Sequence, residues 1–144
     1  MSASPPVLHQ RNLPLLLLQV RERVIGRFRP MLNEAGLTEQ QWRVLRALLG
    51  HGPLEPRQIG EVCCLSSASL VGILARMEDL GLISRQRVAA DQRRLLVSPS
   101  TQGKHLAQRL APHIDAIYAQ LELDLGQAAY AQLYRTLDSV LSKI

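Results

Sequence analysis

From Asn12 onward apolar residues recur at three- and four-residue spacing: Leu17, Val20, Val24, Phe28 and Met31, with Leu18, Ile25 and Leu32 beside them. That period is helical, and the apolar surface is too broad for one packing partner. It predicts a long first helix closed by Gly36, with Pro14 in its first turn and a second subunit as an obvious additional partner. Thr38 and Gln41 form a capping box ahead of a second helix, which carries Trp42, Leu45, Leu48 and Leu49 and breaks at Gly50-His51-Gly52-Pro53. Residues 57–63 read as a short third helix with Ile59 and Val62 turned inward. Ser66 then caps a fourth, whose stripe is Leu70, Ile73, Leu74, Met77 and Leu80 and whose stop is Gly81.

After Gly81 the period changes. Residues 82–88 and 95–98 read as two strands around a polar tip at 89–94. Ser100 or Thr101 caps a long helix carrying Leu106, Leu110, Ile114, Ile117, Leu121 and Leu125. A last helix from about Gln127 carries Tyr130, Leu133, Tyr134, Leu137, Val140 and Leu141. Two short helices joined tightly, the second followed by a basic hairpin, make the winged form of the helix-turn-helix. The predicted fold class is therefore mainly α with a small β-hairpin wing. A winged helix-turn-helix core at 38–100 would be flanked by dimerisation helices at 10–35 and 101–144, all in one domain over 1–144. Packing across a two-fold axis accounts economically for the flanking helices.

Composition narrows the function. With 47% apolar and 20% charged residues in 144, the chain has the make-up of a folded protein. The net charge is +5, and 15 of the 17 cations are Arg. All of that excess precedes Lys104, since the remaining residues carry four basic and four acidic side chains. A basic balance suits nucleic acid or another anionic surface. The apolar run at residues 15–18 is cut by Gln19, Arg21 and Arg23, so no membrane span or leader is expected, and the expected compartment is the cytoplasm. Cys63 and Cys64 are adjacent and make no disulfide framework; they read as packing residues, or as a redox sensor if exposed and activated. His9, His51, His105 and His113 lack the spacing of a metal site. No nucleophile-base-acid set or Gly-rich phosphate loop is present, so neither an enzyme nor a cofactor is expected.

The wing concentrates the charge. Arg85, Arg87, Arg93 and Arg94 against Asp91 put net +3 on ten residues. Arg at a hairpin tip suits the negative potential of a minor groove, although a solvated hairpin that keeps the protein soluble would look the same. Asp91 would hold the wing's shape by accepting hydrogen bonds from an Arg or from turn amides. The fourth helix offers Ser66, Ser67, Ser69, Gly72 and Arg76. Hydroxyls and helix-start amides hold phosphates, small residues let a helix lie deep in a major groove, and Arg76 is the one long donor. The same face also fits an ordinary short polar surface.

The motifs together resemble the MarR family of winged-helix regulators. Leu65-Ser66-Ser67-Ala68-Ser69-Leu70 matches the family's recognition-helix start, and Met77-Glu78-Asp79-Leu80-Gly81-Leu82-Ile83 its end. Asp91-Gln92-Arg93 matches the wing's Asp-x-Arg, and Gly103 falls ten residues beyond that Arg. The likeness runs from about Leu13 to Leu141. Residues 27–31 and 37–46 are similar to one branch, the repressors of homoprotocatechuate degradation and, more closely, of nicotinate catabolism. The resemblance implies a homodimeric repressor on double-stranded operator DNA, released by a small aromatic carboxylate of the 6-hydroxynicotinate or hydroxyphenylacetate type. It makes Arg93 the minor-groove Arg, Asp91 its structural partner and residues 66–76 the reading helix. Two departures stand out: Pro99-Ser100 replaces Leu-Thr after the wing, and Ser67 stands where relatives often carry Arg or Lys, which shifts phosphate contact toward the wing.

An aromatic carboxylate needs an apolar slot and one or two donors. The first helix and its approach offer His9, Arg11, Arg21 and Phe28, and the second helix Trp42, Arg43 and Arg46. Trp42 reads equally as core, Arg43 as an ion pair with Glu39, and Arg21 as a dimer salt bridge. Two other functions stay open at this point: a thiol-based redox repressor on the same fold, and a protein-interaction adaptor that does not read DNA.

Overall fold

The computed structural model describes residues 2–144. The elements are α1 (Leu13–Gly26), α2 (Arg29–Glu34), α3 (Glu39–His51), α4 (Pro56–Cys63), α5 (Ser67–Asp79), β1 (Ile83–Val88), β2 (Asp91–Pro99), α6 (Thr101–Leu125) and α7 (Gln127–Lys143). The caps read from the sequence at Thr38, Ser66 and Ser100 form as hydrogen bonds, and Asn12 adds one for α1. Asn12 Oδ1 accepts from the Leu15 amide at 3.0 Å, and Ser66 Oγ from the Ser69 amide at 3.2 Å. Thr38 and Gln41 make the reciprocal pair, at 3.1 and 3.0 Å. Ser100, rather than Thr101, caps α6, its hydroxyl accepting from the Gly103 amide at 3.0 Å and donating to the Gly81 carbonyl.

Two expectations are corrected. The long first helix is broken, because Pro30 has no amide for the Gly26 carbonyl and its ring crowds that group. Arg27 and Phe28 tighten into a turn whose amides reach back three residues, to Val24 and Ile25, and the break tucks Phe28 into the core. The six-residue polar tip is also shorter than expected. Ala89 and Ala90 alone make the turn, while the register runs from Arg87↔Leu95 to Val88↔Asp91. Gln92, Arg93 and Arg94 therefore bulge out of the β2 ladder. Pro99 ends the returning strand opposite Ile83.

Two apolar clusters organise the chain. The first joins α3, α4, α5 and the wing base through Val44, Leu45, Leu48, Ile59, Leu74 and Met77, all 2% exposed or less. The second joins α2 and α6 through Phe28, Leu32, Leu106, Leu110 and Ile114, and Trp42 packs against both. Leu54 bridges to Val97 with two backbone bonds, at 3.1 and 2.8 Å, which ties the wing to the start of α4. Neither α1 nor α7 has a buried residue in the single protomer. Leu15, Leu17, Leu18 and Val20 on α1 and Leu137, Val140 and Leu141 on α7 stay exposed. Among the described residues no single helix is long and apolar enough to cross a membrane.

Gly103 is where the wing base and α6 come closest. A Cβ there would overlap the Leu82 carbonyl oxygen and lie 3.3 Å from Leu45 Cδ1. Gly103→Ala is expected to cost about 1–3 kcal/mol, read as a lower thermal unfolding midpoint. Gly72→Ala, which meets nothing within 4 Å, should leave that midpoint unchanged or slightly raised.

Candidate nucleic-acid interface and effector cleft

Helices α4 and α5 cross at 110°, within the range of helix-turn-helix pairs. Leu70, Leu74 and Met77 turn α5 into the core, which leaves Ser67, Ser69, Val71, Gly72 and Arg76 on its outer side. Ser66 is committed to the cap: its hydroxyl accepts from the Ser69 amide and donates to Ser69 Oγ at 3.0 Å. Ser67 at the helix start and Arg76 farther along remain exposed without a charged partner among the described residues.

The four wing arginines divide into two kinds. Arg85 is half-buried and donates to the Glu78 carboxylate of α5 at 3.2 and 3.4 Å. Arg94 Nε donates to Glu55 Oε1, just before α4, at 2.6 Å. That hydrogen bond raises the affinity of the Arg94 guanidinium for its proton. The net +3 read from the hairpin alone therefore overstates its free charge, because Glu78 and Glu55 lie outside the hairpin, the latter 39 residues from Arg94. Arg87 and Arg93 have no carboxylate partner among the described residues. Asp91 Oδ1 accepts from the Arg93 amide at 3.1 Å, a local turn that shapes the bulge. Arg87 Nη1 donates to the Arg93 carbonyl at 3.4 Å.

A second feature is a cleft of about 450 Å³ between α1, α3, α4 and α6. Phe28, Trp42, Arg43 and Arg46 line it, together with Glu39 and Tyr118. The Phe28 and Tyr118 rings lie 5.0 Å apart, centroid to centroid, which makes an aromatic wall. The Arg46 guanidinium sits 5.9 Å from the Tyr118 ring and donates to its hydroxyl at a long 3.4 Å. Arg46 is thus loosely held and exposed.

Arg43 is not free for a ligand. It grips Glu39 with Nε and Nη2, at 3.0 and 2.6 Å, and donates Nη1 to the Cys63 carbonyl at 2.8 Å. Burial works against the Glu39 charge, but the guanidiniums of Arg43 and Arg21 outweigh it and hold the carboxyl below its usual range. Arg21 reaches that network by donating to Glu39 Oε1 at 3.0 Å, and it does not line the cleft. His9 and Arg11 sit in the exposed segment before α1 and do not line the cleft within the single protomer. Tyr118 lies 72 residues from Arg46, and its ring on the α6 stripe gave no local signal of a site.

Cys63 is buried, and burial pushes its thiol up. A cation lies beside it, the Arg43 guanidinium from α3, but Glu39 already occupies that charge. Cys64 is exposed. Among the described residues no cluster of three potential metal ligands occurs.

The two kinds of wing Arg should separate in DNA titrations. Arg87→Ala and Arg93→Ala are each expected to weaken specific and random DNA alike, and to lower the slope of log affinity against log salt by about one. Arg94→Ala should lower it by less, because Glu55 already neutralises that charge. Equal slopes for all three variants would contradict the division.

Comparison with known proteins completes the site. A model of the MarR family matches residues 35–94. The HTH-type transcriptional regulator FarR of Neisseria gonorrhoeae is 37% identical over 111 residues, 77% of this chain and 76% of that protein. The homoprotocatechuate degradative operon repressor of Escherichia coli is 34% identical over 131 residues, 91% of this chain and 88% of that one. The crystal structure of NadR in complex with 4-hydroxyphenylacetate superposes with a TM-score of 0.81 at 33% identity, over 98% of this chain and 99% of NadR. With its winged helix-turn-helix, its basic wing and these relatives, the chain belongs to the MarR family of DNA-binding transcriptional regulators.

Proposed function

We propose that the protein is a homodimeric repressor of an operon for aromatic-compound breakdown, released from its operator by a small aromatic carboxylate. The carrying observation is the cleft itself. Phe28, Trp42 and Tyr118 supply an aromatic slot, and Arg46 a cation with only a weak internal bond, in a volume suited to one small ligand. Among the two ligand types considered, 4-hydroxyphenylacetate is favoured, since NadR was crystallised with it and is 33% identical to this chain.

The exposed apolar faces of α1 and α7 supply the dimer contact. In such a dimer two α5 helices enter successive major grooves of a pseudo-palindrome, roughly 34 Å apart. The two wings then reach the flanking minor grooves with Arg87 and Arg93. Arg87 and Arg93 supply affinity through phosphate and groove potential, and the α5 face supplies the reading of bases. A carboxylate held by Arg46 lies beside α1, so a filled cleft favours a dimer whose two cores are differently spaced and no longer fit both half-sites. Bound at a promoter, the ligand-free dimer excludes polymerase.

The test is a mobility shift with the DNA upstream of the protein's own gene, titrated with 4-hydroxyphenylacetate, 6-hydroxynicotinate and benzoate. Release by a hydroxylated aromatic acid is the expected result. In Arg46→Ala the concentration for half-release should rise about tenfold or more, as expected for loss of a charged hydrogen bond. Retarded DNA that none of these acids releases would contradict the effector function, and DNA that is never retarded would contradict the repressor itself.

A further inference from the structure

The last carbonyls of an α-helix have no amide partner within it. At the end of α4 the Gly60 carbonyl takes the amides of Cys64 and Leu65, the latter at 3.0 Å. The Cys63 carbonyl is satisfied from another element, by Arg43 Nη1 of α3 at 2.8 Å. From there the chain passes through Cys64, left-handed at φ 54°, and Leu65 to Ser66, the N-cap of α5. A side chain of α3 thus holds the turn from which the recognition helix starts.

The other edge of the same guanidinium is held by Glu39, and Glu39 is shared with Arg21 of α1. Glu39 and Arg43 keep 17% and 28% of their side chains exposed and line the cleft beside Arg46. One planar fork therefore lines the cleft and holds the turn before α5 directly, and it reaches the helix with the unpartnered apolar face through the shared Glu39. A Lys ammonium could not hold a carboxylate and a carbonyl in that fixed geometry.

We propose that Arg43 is a positioning residue for regulated DNA binding, fixing the start of α5 through the Cys63 carbonyl while its grip on Glu39 exposes that fixture to any carboxylate entering the cleft. The regulatory half rests on the effector function proposed above, and the positioning half stands on geometry alone. An anion arriving beside Arg46 competes with Glu39 for the Arg43 donors. Rotation of the fork toward it withdraws Nη1 from the Cys63 carbonyl, and the turn that orients α5 loosens. By linkage, DNA that holds α5 in place disfavours the anion to the same degree.

Two measurements on Arg43→Lys, Arg43→Met and Glu39→Gln test this. The first, without ligand, is amide hydrogen exchange over residues 64–69 together with operator Kd. Both Arg43 variants should exchange about tenfold faster there and bind operator about tenfold more weakly. Wild-type exchange and a Kd within about twofold in Arg43→Lys overturns the positioning role, even if Arg43→Met fails to fold. The second is the ratio of operator Kd with saturating 4-hydroxyphenylacetate to that without. Arg43→Lys should bring this ratio down to about a tenth of the wild-type value or less, and Glu39→Gln, which weakens the competitor for the Arg43 donors, should lower the 4-hydroxyphenylacetate concentration for half-release; lost stability alone would produce neither. A ratio equal to wild type in Arg43→Lys overturns the regulatory half. If wild-type operator binding ignores 4-hydroxyphenylacetate altogether, the effector function and the regulatory half fail together, and the ligand-free exchange still decides the positioning role.

Discussion

The turn between α4 and α5 is the constraint on which the rest of this structure depends. Three residues, Cys64 to Ser66, must reverse the chain through 110° and deliver α5 with its small face outward. Cys64 does so at φ 54°, a conformation that costs a residue with a Cβ about 1–2 kcal/mol. The surroundings hold it there. Gly60 lacks the Cβ that would lie 3.1 Å from the Leu65 carbonyl, Ile59 and Leu70 anchor either side in the core, and Arg43 caps the Cys63 carbonyl. A turn that is strained and held from outside can be switched by what holds it, and its holder also walls the cleft.

Charge is arranged on the same plan. The chain is basic, yet many of its Arg groups have an acidic partner: Arg21 and Arg43 with Glu39, Arg27 with Asp124, Arg29 with Glu22, Arg85 with Glu78 and Arg94 with Glu55. These pairs are mostly exposed and add little stability. Their effect is on position, since they join wing to α5, wing to α4 and α1 to α3. Several cations have no carboxylate partner among the described residues, and Arg76 on the outer side of α5 is one of them. Arg87 and Arg93 lie at the wing end and Arg46 in the cleft, so each surface that needs an anion keeps a free cation.

Much of this was legible in the sequence, for local reasons. Thr38 with Gln41, Ser66 and Ser100 announce helix starts because caps are short-range hydrogen bonds, and the period of Leu70, Leu74 and Met77 announces a buried face. The broken first helix was also within reach, since Pro30 forbids the continuous form, but the strong apolar period around Phe28 masked it. The pairing of Arg94 with Glu55 spans 39 residues and that of Arg46 with Tyr118 spans 72. No local pattern encodes such contacts; they appear only once the cores have packed. For the same reason the pairing of Arg43 with Glu39, four residues away, could be read ahead, whereas its bond to the Cys63 carbonyl, 20 residues away, could not.

The central claim is that one dimer holds either operator or aromatic acid, and native mass spectrometry tests it most directly. The protein is mixed with duplex DNA from upstream of its own gene, and 4-hydroxyphenylacetate is then added. The expected result is a complex of two chains with one duplex, which gives way to free duplex and ligand-loaded dimer. A species that carries duplex and ligand together at full abundance would contradict it.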